Sequence, residues 1–330
     1  MRSQSTGVRI AGLGKSLGEN LLTNQDLERM VDTSDEWIRT RTGIGTRHIA
    51  ARGTATSDLA LRAAREALTD ARVAPADVDL IIVATVTPDM AFPSVACLLQ
   101  AELGATHAAA FDLSAACSGF LYGLDVGSRF VQTGRYQHVL VVGAETLSRI
   151  TDYTDRRTCV LFGDGAGAAV LAPGPEGSGL LASVLGADGG GKDLMYLPGG
   201  GSRHPASVET VQAGLHYIKM NGNEVFKYAV RVMGDVTLQA LAAAGLDVTD
   251  VDLFVPHQAN YRIIDATARR LGLPADKVFV NIERYGNMSA ATIPIALREA
   301  QEEGRLKQGD VVVLAAFGGG LTWAASVLRW

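Results

Sequence analysis

The residue with the clearest potential for covalent chemistry is Cys117, in the segment FDLSAACSGFLYGL (111–124). The small residues before it predict a tight turn, and the apolar run after it predicts a helix that begins near Gly119. A thiol at a helix N-terminus lies at the positive end of the helix dipole, which favours the thiolate. Because a thiolate attacks thioesters, we predict that Cys117 is a nucleophile. The alternative is that this lone cysteine is a small buried core residue.

Two residues in the second half of the chain are candidate partners for this thiol. His257 lies in FVPHQAN, directly after an apolar strand, and Asn287 lies in GNMSAATIPIAL, in a turn before a helix. Taken singly, each has a structural alternative, a core histidine and a helix cap. Their shared position at strand ends or helix starts favours one common site. The glycines of AFGGGLTW (316–323) predict backbone N–H groups close to a developing oxyanion, or simply a tight turn between strands.

The elements that position these residues form two related halves. DVDL occurs at 77–80 and at 250–253, and each copy opens an apolar strand. The same spacing carries Cys117 onto Ala290, within GNMSAAT, and carries HVLVVGAET onto DVVVLAAFGGG. We therefore predict a duplication, with one half at 1–172 that holds the nucleophile and one at 173–330 that holds His257 and Asn287.

The apolar runs of the sequence are continuous rather than alternating, which is typical of strands covered by helices on both faces. The predicted strands are 80–85, 139–142 and 311–316. The predicted helices are 57–71, with Ser57 as its N-cap, 223–245 and 260–272. The pattern indicates a layered α/β protein.

Composition narrows the classes of protein. A chain of 330 residues, 47% hydrophobic and 20% charged, is typical of a globular protein with two domains or two similar halves. The net charge of −5 argues against a dedicated nucleic-acid binder. No apolar run approaches the roughly 18 residues of a membrane span, and no secretory signal is apparent. Three cysteines without CxxC spacing predict neither a disulfide framework nor a zinc site, and favour a cytoplasmic protein. Cys97 and Cys159 are interpreted as buried apolar residues, Cys159 within a strand.

Seven segments, in the same order, resemble the β-ketoacyl-acyl carrier protein synthase III family of thiolase-fold condensing enzymes. They are TSDEWIRTRTGI (33–44), FDLSAACSGF (111–120), FGDGAGAAVL (162–171), MNGNEVFK (220–227), VPHQANYRIID (255–265), YGNMSAA (285–291) and FGGGLTW (317–323). The resemblance runs essentially from end to end. It implies a thiolase-like fold of two duplicated halves in α-β-α-β-α layers. It also implies acyltransferase activity.

The resemblance implies a catalytic triad of Cys117, His257 and Asn287. The reaction would be a Claisen condensation of an acyl-CoA primer, expected to be acetyl-CoA, with malonyl-acyl carrier protein. It would release CoA and CO2 and initiate fatty acid synthesis, with no bound cofactor and no metal. The backbone N–H groups of Cys117 and Gly319 would form the oxyanion hole. The alternatives are a polyketide-priming or ester-forming relative, and an inactive partner subunit, which the intact triad disfavours.

The resemblance also assigns binding residues. For CoA they are Trp37 and Arg156, which would sandwich the adenine, Arg41 at a phosphate, and Asn223 and Asn260 along the pantetheine tunnel. For the acidic carrier protein they are Arg262, Arg269, Arg270 and Lys227. For the acyl pocket they are Phe317 and Phe92, with Phe92 reaching across a homodimer interface. The chain departs from the family at Met288, where threonine is usual, and we expect this to change pocket shape at most.

Overall fold

The computed structural model describes residues 7–330, which form a mixed α/β structure. The strands are β1 (Gly7–Leu17), β2 (Asn20–Thr23), β3 (Thr46–Ile49), β4 (Leu80–Ala84), β5 (Ala109–Leu113), β6 (Val139–Thr146), β7 (Asp164–Gly174), β8 (Gly179–Ala187), β9 (Met195–Tyr196), β10 (Lys219–Met220), β11 (Leu253–Pro256), β12 (Val311–Gly318) and β13 (Thr322–Arg329). The helices are α1 (Asn24–Glu28), α2 (Asp35–Thr42), α3 (Thr56–Ala71), α4 (Val95–Leu103), α5 (Gly119–Gln132), α6 (Val208–Gln212), α7 (Gly222–Ala243), α8 (Tyr261–Leu271), α9 (Ile282–Tyr285) and α10 (Thr292–Glu302). The predicted α/β class is confirmed.

Nine strands form one sheet in the order β11-β12-β13-β8-β1-β7-β6-β4-β5. From the centre outward, the strands of the first half follow the order β1, β7, β6, β4, β5, and those of the second half follow the order β8, β13, β12, β11. In both halves the strand that comes first in the sequence is followed by the last strand and then by the one before the last. The two sides meet where β1 pairs with β8 through Val8 and Gly179. The predicted boundary at 172/173 lies in the last residues of β7, and the chain enters β8 at Gly179. The matching strand order is what a duplicated α/β unit would produce.

The apolar core is divided into three large clusters that define the layers. One cluster joins α5 and α10 to strands from both sides of the sheet. A second packs α3 and α4 against the strands of the first half, and a third packs α7 and α8 against those of the second half. The strands are apolar on both faces because each face is covered by helices, as the continuous apolar runs predict. The two halves of the sheet therefore act as two β layers with α5 and α10 between them, and the layers alternate α-β-α-β-α.

Local predictions fail where side-chain contacts decide the outcome. Ser57 is not the N-cap of α3: the cap is Ala55, whose N–H donates to the Asp58 carboxylate at 2.8 Å. Cys97 is exposed rather than buried. Cys159 is buried as predicted but lies in a turn rather than a strand. No helix within residues 7–330 has the length and hydrophobicity needed to cross a bilayer.

Candidate active site

Cys117 lies in a single 3-10 turn, Ala116–Ser118, between β5 and the start of α5. The helix begins where the sequence predicts, but the side chain is only 8% exposed. Burial raises the pKa of the Cys117 thiol to about 12, because the thiolate loses its hydration. Burial therefore opposes the helix N-terminus, which we expected to favour the thiolate. With this pKa, Cys117 is a thiol at neutral pH.

His257 directly follows β11, and its backbone N–H donates to the carbonyl of Ala315 at 2.8 Å. Its Nδ1 lies 2.6 Å from the hydroxyl oxygen of Thr292. Its Nε2 is buried and has no hydrogen-bond partner within residues 7–330. Burial lowers the pKa of His257 to about 3, so the imidazole is neutral at physiological pH. A neutral imidazole with one unsatisfied nitrogen is suited to hydrogen bonding with a substrate.

Asn287 is held by backbone pairing in the turn before α10. Its N–H donates to the carbonyl of Leu161 at 2.9 Å, and its carbonyl accepts from Gly163 at 3.0 Å. Its side-chain Oδ1 accepts from the N–H of Ser289 at 2.8 Å. This bond fixes the orientation of the amide. The NH2 group has no protein partner among the described residues, so it remains available as a donor.

The glycines after β12 bring a second backbone segment against the nucleophile. A Cβ atom on Gly318 would lie 2.6 Å from the Cys117 nitrogen, so a side chain there would displace the turn. Burial is the main influence on the Cys117 pKa, and hydrogen bonds from the N–H groups of Cys117 and Gly319 oppose it. Both N–H groups therefore lie next to the sulfur, which is the arrangement that an oxyanion hole requires.

One cavity of about 750 Å³ is lined by Cys117, His257 and Asn287 together. Other predicted residues that line it are Phe317, Trp37, Arg41, Asn223, Asn260 and Arg262. A second cavity, of about 330 Å³, also reaches Cys117 and is lined by Gly319, Ser289 and mainly apolar side chains. The thiol thus lines both the larger cavity and the smaller, mainly apolar one.

The predicted adenine sandwich is closed in this structure. The Arg156 guanidinium lies 5.2 Å from the centre of the Trp37 ring and donates to the Asp32 carbonyl at 2.7 Å. An adenine between them needs two stacking contacts of about 3.5 Å each, so Arg156 must move for it to enter. Arg156 does not line the large cavity, whereas Arg157, which pairs with Asp155 at 2.8 Å, does.

Asn260 and Met288 have clear structural roles. The Asn260 side chain caps α8 by accepting from the N–H of Arg262 at 2.9 Å, and it donates to the Arg41 carbonyl at 3.0 Å. Met288 is buried beside Gly165 and lines neither cavity. The expectation that Met288 reshapes the pocket therefore has no support in its position.

The two phenylalanines predicted for the acyl pocket differ in environment. Phe317 is buried, stacks on Tyr228 with ring centres 5.6 Å apart, and lines the larger cavity rather than the smaller one. Phe92 is 85% exposed and lines neither cavity of its own chain.

The basic residues predicted to bind a carrier protein are exposed, but most are paired. Arg269 pairs with Asp265 (2.5 Å), Arg270 with Asp235 (2.6 Å) and Lys227 with Glu224 (2.8 Å). Arg262 has no ion pair within residues 7–330, and its guanidinium lies 5.2 Å from the centre of the Phe226 ring. The surface is therefore less positive than the four residues alone suggest.

Three residues that contact the site were not identified from the sequence: Glu145, Ser289 and Thr292. Ser289 and Thr292 lie in GNMSAAT, so their closeness to Asn287 in sequence is a signal that could have identified them. Glu145 ends the apolar run VVGAE, where a buried carboxylate is unexpected. No group of three or more His, Cys, Asp or Glu side chains within the described part of the chain could hold a metal ion.

Comparison with known proteins identifies the family. A family model described as 3-oxoacyl-[acyl-carrier-protein (ACP)] synthase III matches residues 111–189, and its C-terminal counterpart matches 241–330. The chain is 61% identical over 323 residues to a β-ketoacyl-[acyl-carrier-protein] synthase III from Symbiobacterium thermophilum, covering 98% of each chain.

Solved structures that resemble this chain indicate the same family. The 3-oxoacyl-[acyl-carrier-protein] synthase III of Aquifex aeolicus VF5 matches with a TM-score of 0.91 and 50% identity, over 98% of this chain and 100% of that one. The priming β-ketosynthase of the R1128 polyketide pathway matches with a TM-score of 0.91 and 36% identity, over 100% and 98%. On this combination of fold, cavity and sequence likeness, the chain belongs to the β-ketoacyl-[acyl-carrier-protein] synthase III family.

Proposed function

We infer that this protein condenses an acyl-CoA primer with malonyl-acyl carrier protein and so initiates fatty acid synthesis. The observation that carries the proposal is the single cavity lined by Cys117, His257 and Asn287, with two backbone N–H groups beside the sulfur. The membership of the family supports the same reaction.

In the first half-reaction, Cys117 attacks the thioester carbon of the acyl-CoA, and CoA leaves. The negative charge on the tetrahedral oxygen is stabilised by the N–H groups of Cys117 and Gly319. A preorganised donor of this kind is typically worth roughly 3–4 kcal/mol. Both donors are backbone groups, so they need no side-chain reorganisation as the charge develops.

In the second half-reaction, the malonyl thioester loses CO2, and an enolate forms. His257 Nε2–H and the Asn287 amide donate hydrogen bonds to its oxygen. Two neutral donors suit this step because an acid would protonate the carbanion. The low pKa of His257, caused by burial, keeps the ring neutral. The enolate carbon then attacks the acyl group on Cys117.

The proposed donor role of His257 needs its proton on Nε2. Thr292 has one hydroxyl proton and lies 2.6 Å from Nδ1 and 3.0 Å from the Ser289 carbonyl. That hydroxyl donates to the Ser289 carbonyl, which can only accept, so it accepts from Nδ1–H and the resting imidazole carries its proton on Nδ1. Donation from Nε2 to the enolate therefore needs the other tautomer, in which the Thr292 hydroxyl turns to donate to Nδ1.

The primer group is proposed to occupy the smaller cavity, which begins at Cys117. Its apolar lining includes Leu147, Ile150 and Ile218. Its volume of about 330 Å³ accepts an acetyl group and leaves room for longer or branched groups. Each methylene discriminates by only about 1–3 kcal/mol, so a panel of primers has to be compared directly.

We also propose that the protein is a homodimer. β5 ends the large sheet, and its Phe111 is 36% exposed, so it leaves an unpaired strand edge to which a second copy can add. The exposed Phe92 is then free to reach the partner's acyl cavity. A cytoplasmic location fits the small-molecule and carrier-protein substrates of the proposed reaction.

The proposal is tested by mixing the protein with acetyl-CoA and malonyl-acyl carrier protein and weighing the carrier protein by mass spectrometry. We expect acetoacetyl-carrier protein and one CoA for each product. The likeness to a polyketide-priming enzyme makes priming of polyketide synthesis the second candidate function. Repeating the assay with longer acyl-CoA primers and with a carrier protein of a polyketide pathway distinguishes the two functions. No product from any primer would contradict both.

Replacing Trp37 by alanine is expected to raise KM for acetyl-CoA about tenfold and to leave kcat unchanged. The indole lines the cavity, and stacking of a nucleobase on an aromatic side chain is worth about 1–3 kcal/mol. Steady-state kinetics check this at saturating malonyl-carrier protein. Leu21→Ala, at an exposed apolar residue that lines neither cavity, is the control that keeps the wild-type KM. An unchanged KM in Trp37→Ala would remove the indole from the CoA site.

Reversing the charge of Arg269, by Arg269→Glu, is expected to raise KM for malonyl-carrier protein several-fold. The residue is exposed and lies outside both cavities, so acylation by acetyl-CoA should keep its rate. The physical reason is the loss of attraction to an acidic partner. Arg135→Glu, at an exposed arginine of the loop after α5, is the matched control. Equal effects of the two variants would argue against a docking role.

A further inference from the structure

The reaction proposed above requires the Cys117 thiol to lose a proton before or while it attacks. The thiol is protonated at rest, because burial raises its pKa to about 12. His257 is a poor acceptor, because burial lowers its pKa to about 3. A base close to Cys117 is therefore needed, and the triad does not supply one.

Glu145, at the end of β6, is a fully buried carboxylate with no ion pair among the described residues. Its oxygens accept from the Thr87 hydroxyl at 2.6 Å, from the Val86 N–H at 3.2 Å and from the Thr85 hydroxyl at 3.3 Å. Burial raises the pKa of Glu145 to about 7, and these hydrogen bonds limit the rise. Such a carboxyl changes its protonation state near neutral pH.

The Ser289 side chain is close to both Glu145 and Cys117. The turn Ser289–Ala291 packs both on β6 and on the turn of Cys117. Gly143 of β6 permits this, since a Cβ atom there would lie 2.3 Å from the Ala290 carbonyl oxygen. The Ser289 backbone has φ +46°, which a non-glycine residue rarely adopts.

The hydroxyl of Ser289 is buried and has no hydrogen bond of ordinary geometry within residues 7–330. It is nonetheless close enough to lower the pKa both of Cys117 and of Glu145, although burial outweighs it in each case. A hydroxyl can accept one proton and donate another, so this position suits a relay.

We propose that Glu145 accepts the Cys117 proton through the Ser289 hydroxyl during acylation, holds it in the acyl-enzyme, and returns it after condensation. This inference rests on the proposed function.

The step balances. In acylation, Cys117 sulfur bonds to the acyl carbon, the bond from that carbon to CoA sulfur breaks, and the CoA thiolate takes a proton from water. The thiol proton moves to Ser289 while the Ser289 proton moves to Glu145. In condensation, loss of CO2 supplies the electron pair for the new carbon–carbon bond, and Cys117 leaves as a thiolate. Glu145 then returns the proton through Ser289. One proton is taken from water per turnover, matching the loss of CO2 from a carboxylate.

The groups around Glu145 favour this exchange. From the segment after β4 it meets two threonine hydroxyls and the Val86 N–H, and from the turn before α10 it meets Ser289. Cys117 is the titratable group that couples to it, and the Glu145 charge raises the pKa of the thiol. When Glu145 is neutral in the acyl-enzyme, no charged carboxylate among residues 7–330 lines the cavity where the enolate develops.

The test is the pH dependence of Cys117 alkylation by iodoacetamide, followed by intact mass, in Glu145→Gln. We expect alkylation about 100-fold slower than wild type at pH 7, rising tenfold per pH unit because the thiol must ionise without a base. A purely electrostatic role predicts the reverse, since removing a negative charge lowers the thiol pKa. Alkylation as fast as wild type, or faster, would overturn the proposal.

Three further variants complete the test. Ser289→Ala should slow alkylation as much as Glu145→Gln, and the double variant should be no slower than either; additive losses would overturn the relay. Ser289→Ala also tests the relay by itself if Glu145→Gln does not fold. Glu299→Gln, at another buried carboxylate, is the matched control and should keep the wild-type pH profile. Alkylation needs no acyl-CoA, so failure of acylation in the wild type would instead reject the proposed function.

Discussion

Replacing Cys117 by alanine is expected to abolish the acyl-enzyme and to lower turnover by roughly 10⁵–10⁶-fold, as loss of a covalent nucleophile does in other acyl-transfer enzymes. The physical reason is that no other thiol reaches the cavity: Cys97 is exposed on α4, and Cys159 lies in a turn and lines neither cavity. The measurement is intact mass after incubation with acetyl-CoA, with one acetyl group on the wild type and none on the variant.

The control for this experiment is Cys97→Ala, which removes the exposed thiol and should still gain one acetyl group. A full acetyl adduct on Cys117→Ala would show that another residue is the nucleophile. Retained turnover without any adduct would exclude the covalent route itself.

The second large effect is expected at Asn287. Asn287→Ala should lower the rate of malonyl decarboxylation about 10²–10³-fold, the usual effect of removing one oxyanion donor. The Asn287 amide is oriented by Ser289 and has its NH2 group free, so its loss removes a donor to the enolate. Acylation by acetyl-CoA uses the backbone donors instead and should be nearly unchanged. Single-turnover acylation and CO2 release measure the two steps separately.

A loss of both steps in Asn287→Ala would indicate a disturbed turn rather than a lost donor. Met288→Leu tests the turn directly, because Met288 is buried next to Asn287 but lines neither cavity. This variant should keep both rates. If Asn287→Ala kept both rates as well, its assignment to the enolate site would be wrong.

The sequence alone determined the α/β class and the residues that meet in the cavity. Continuous apolar runs predicted strands covered on both faces, and those strands are present at β4, β6 and β12. Cys117, His257 and Asn287 each follow a strand or precede a helix, and such positions converge at one edge of a layered fold. Their chemical types and their common cavity therefore follow from local sequence, while their roles stay predictions.

Only the tertiary structure decided the electrostatics. The helix start at Gly119 is a local signal, but the burial that raises the pKa of Cys117 comes from segments remote in sequence, including the Gly318 backbone. Among the basic residues predicted to bind the carrier protein, Arg269 pairs with Asp265 at the spacing of one helical turn, so this pair can be read from the sequence. The pairing of Arg270 with Asp235 joins two helices and cannot.

Glu145 shows the same limit most clearly. In the sequence it is one acidic residue at the end of an apolar strand, with nothing to mark it as close to Cys117. The packing of the Ser289 turn on β6 brings the Glu145 carboxyl close to the Cys117 thiol. Desolvation and long-range contacts depend on the whole fold, so they set proton affinities that no local pattern records. The sequence by itself identified Cys117, His257 and Asn287, and the tertiary structure added Glu145 to the site and decided which of these groups are charged.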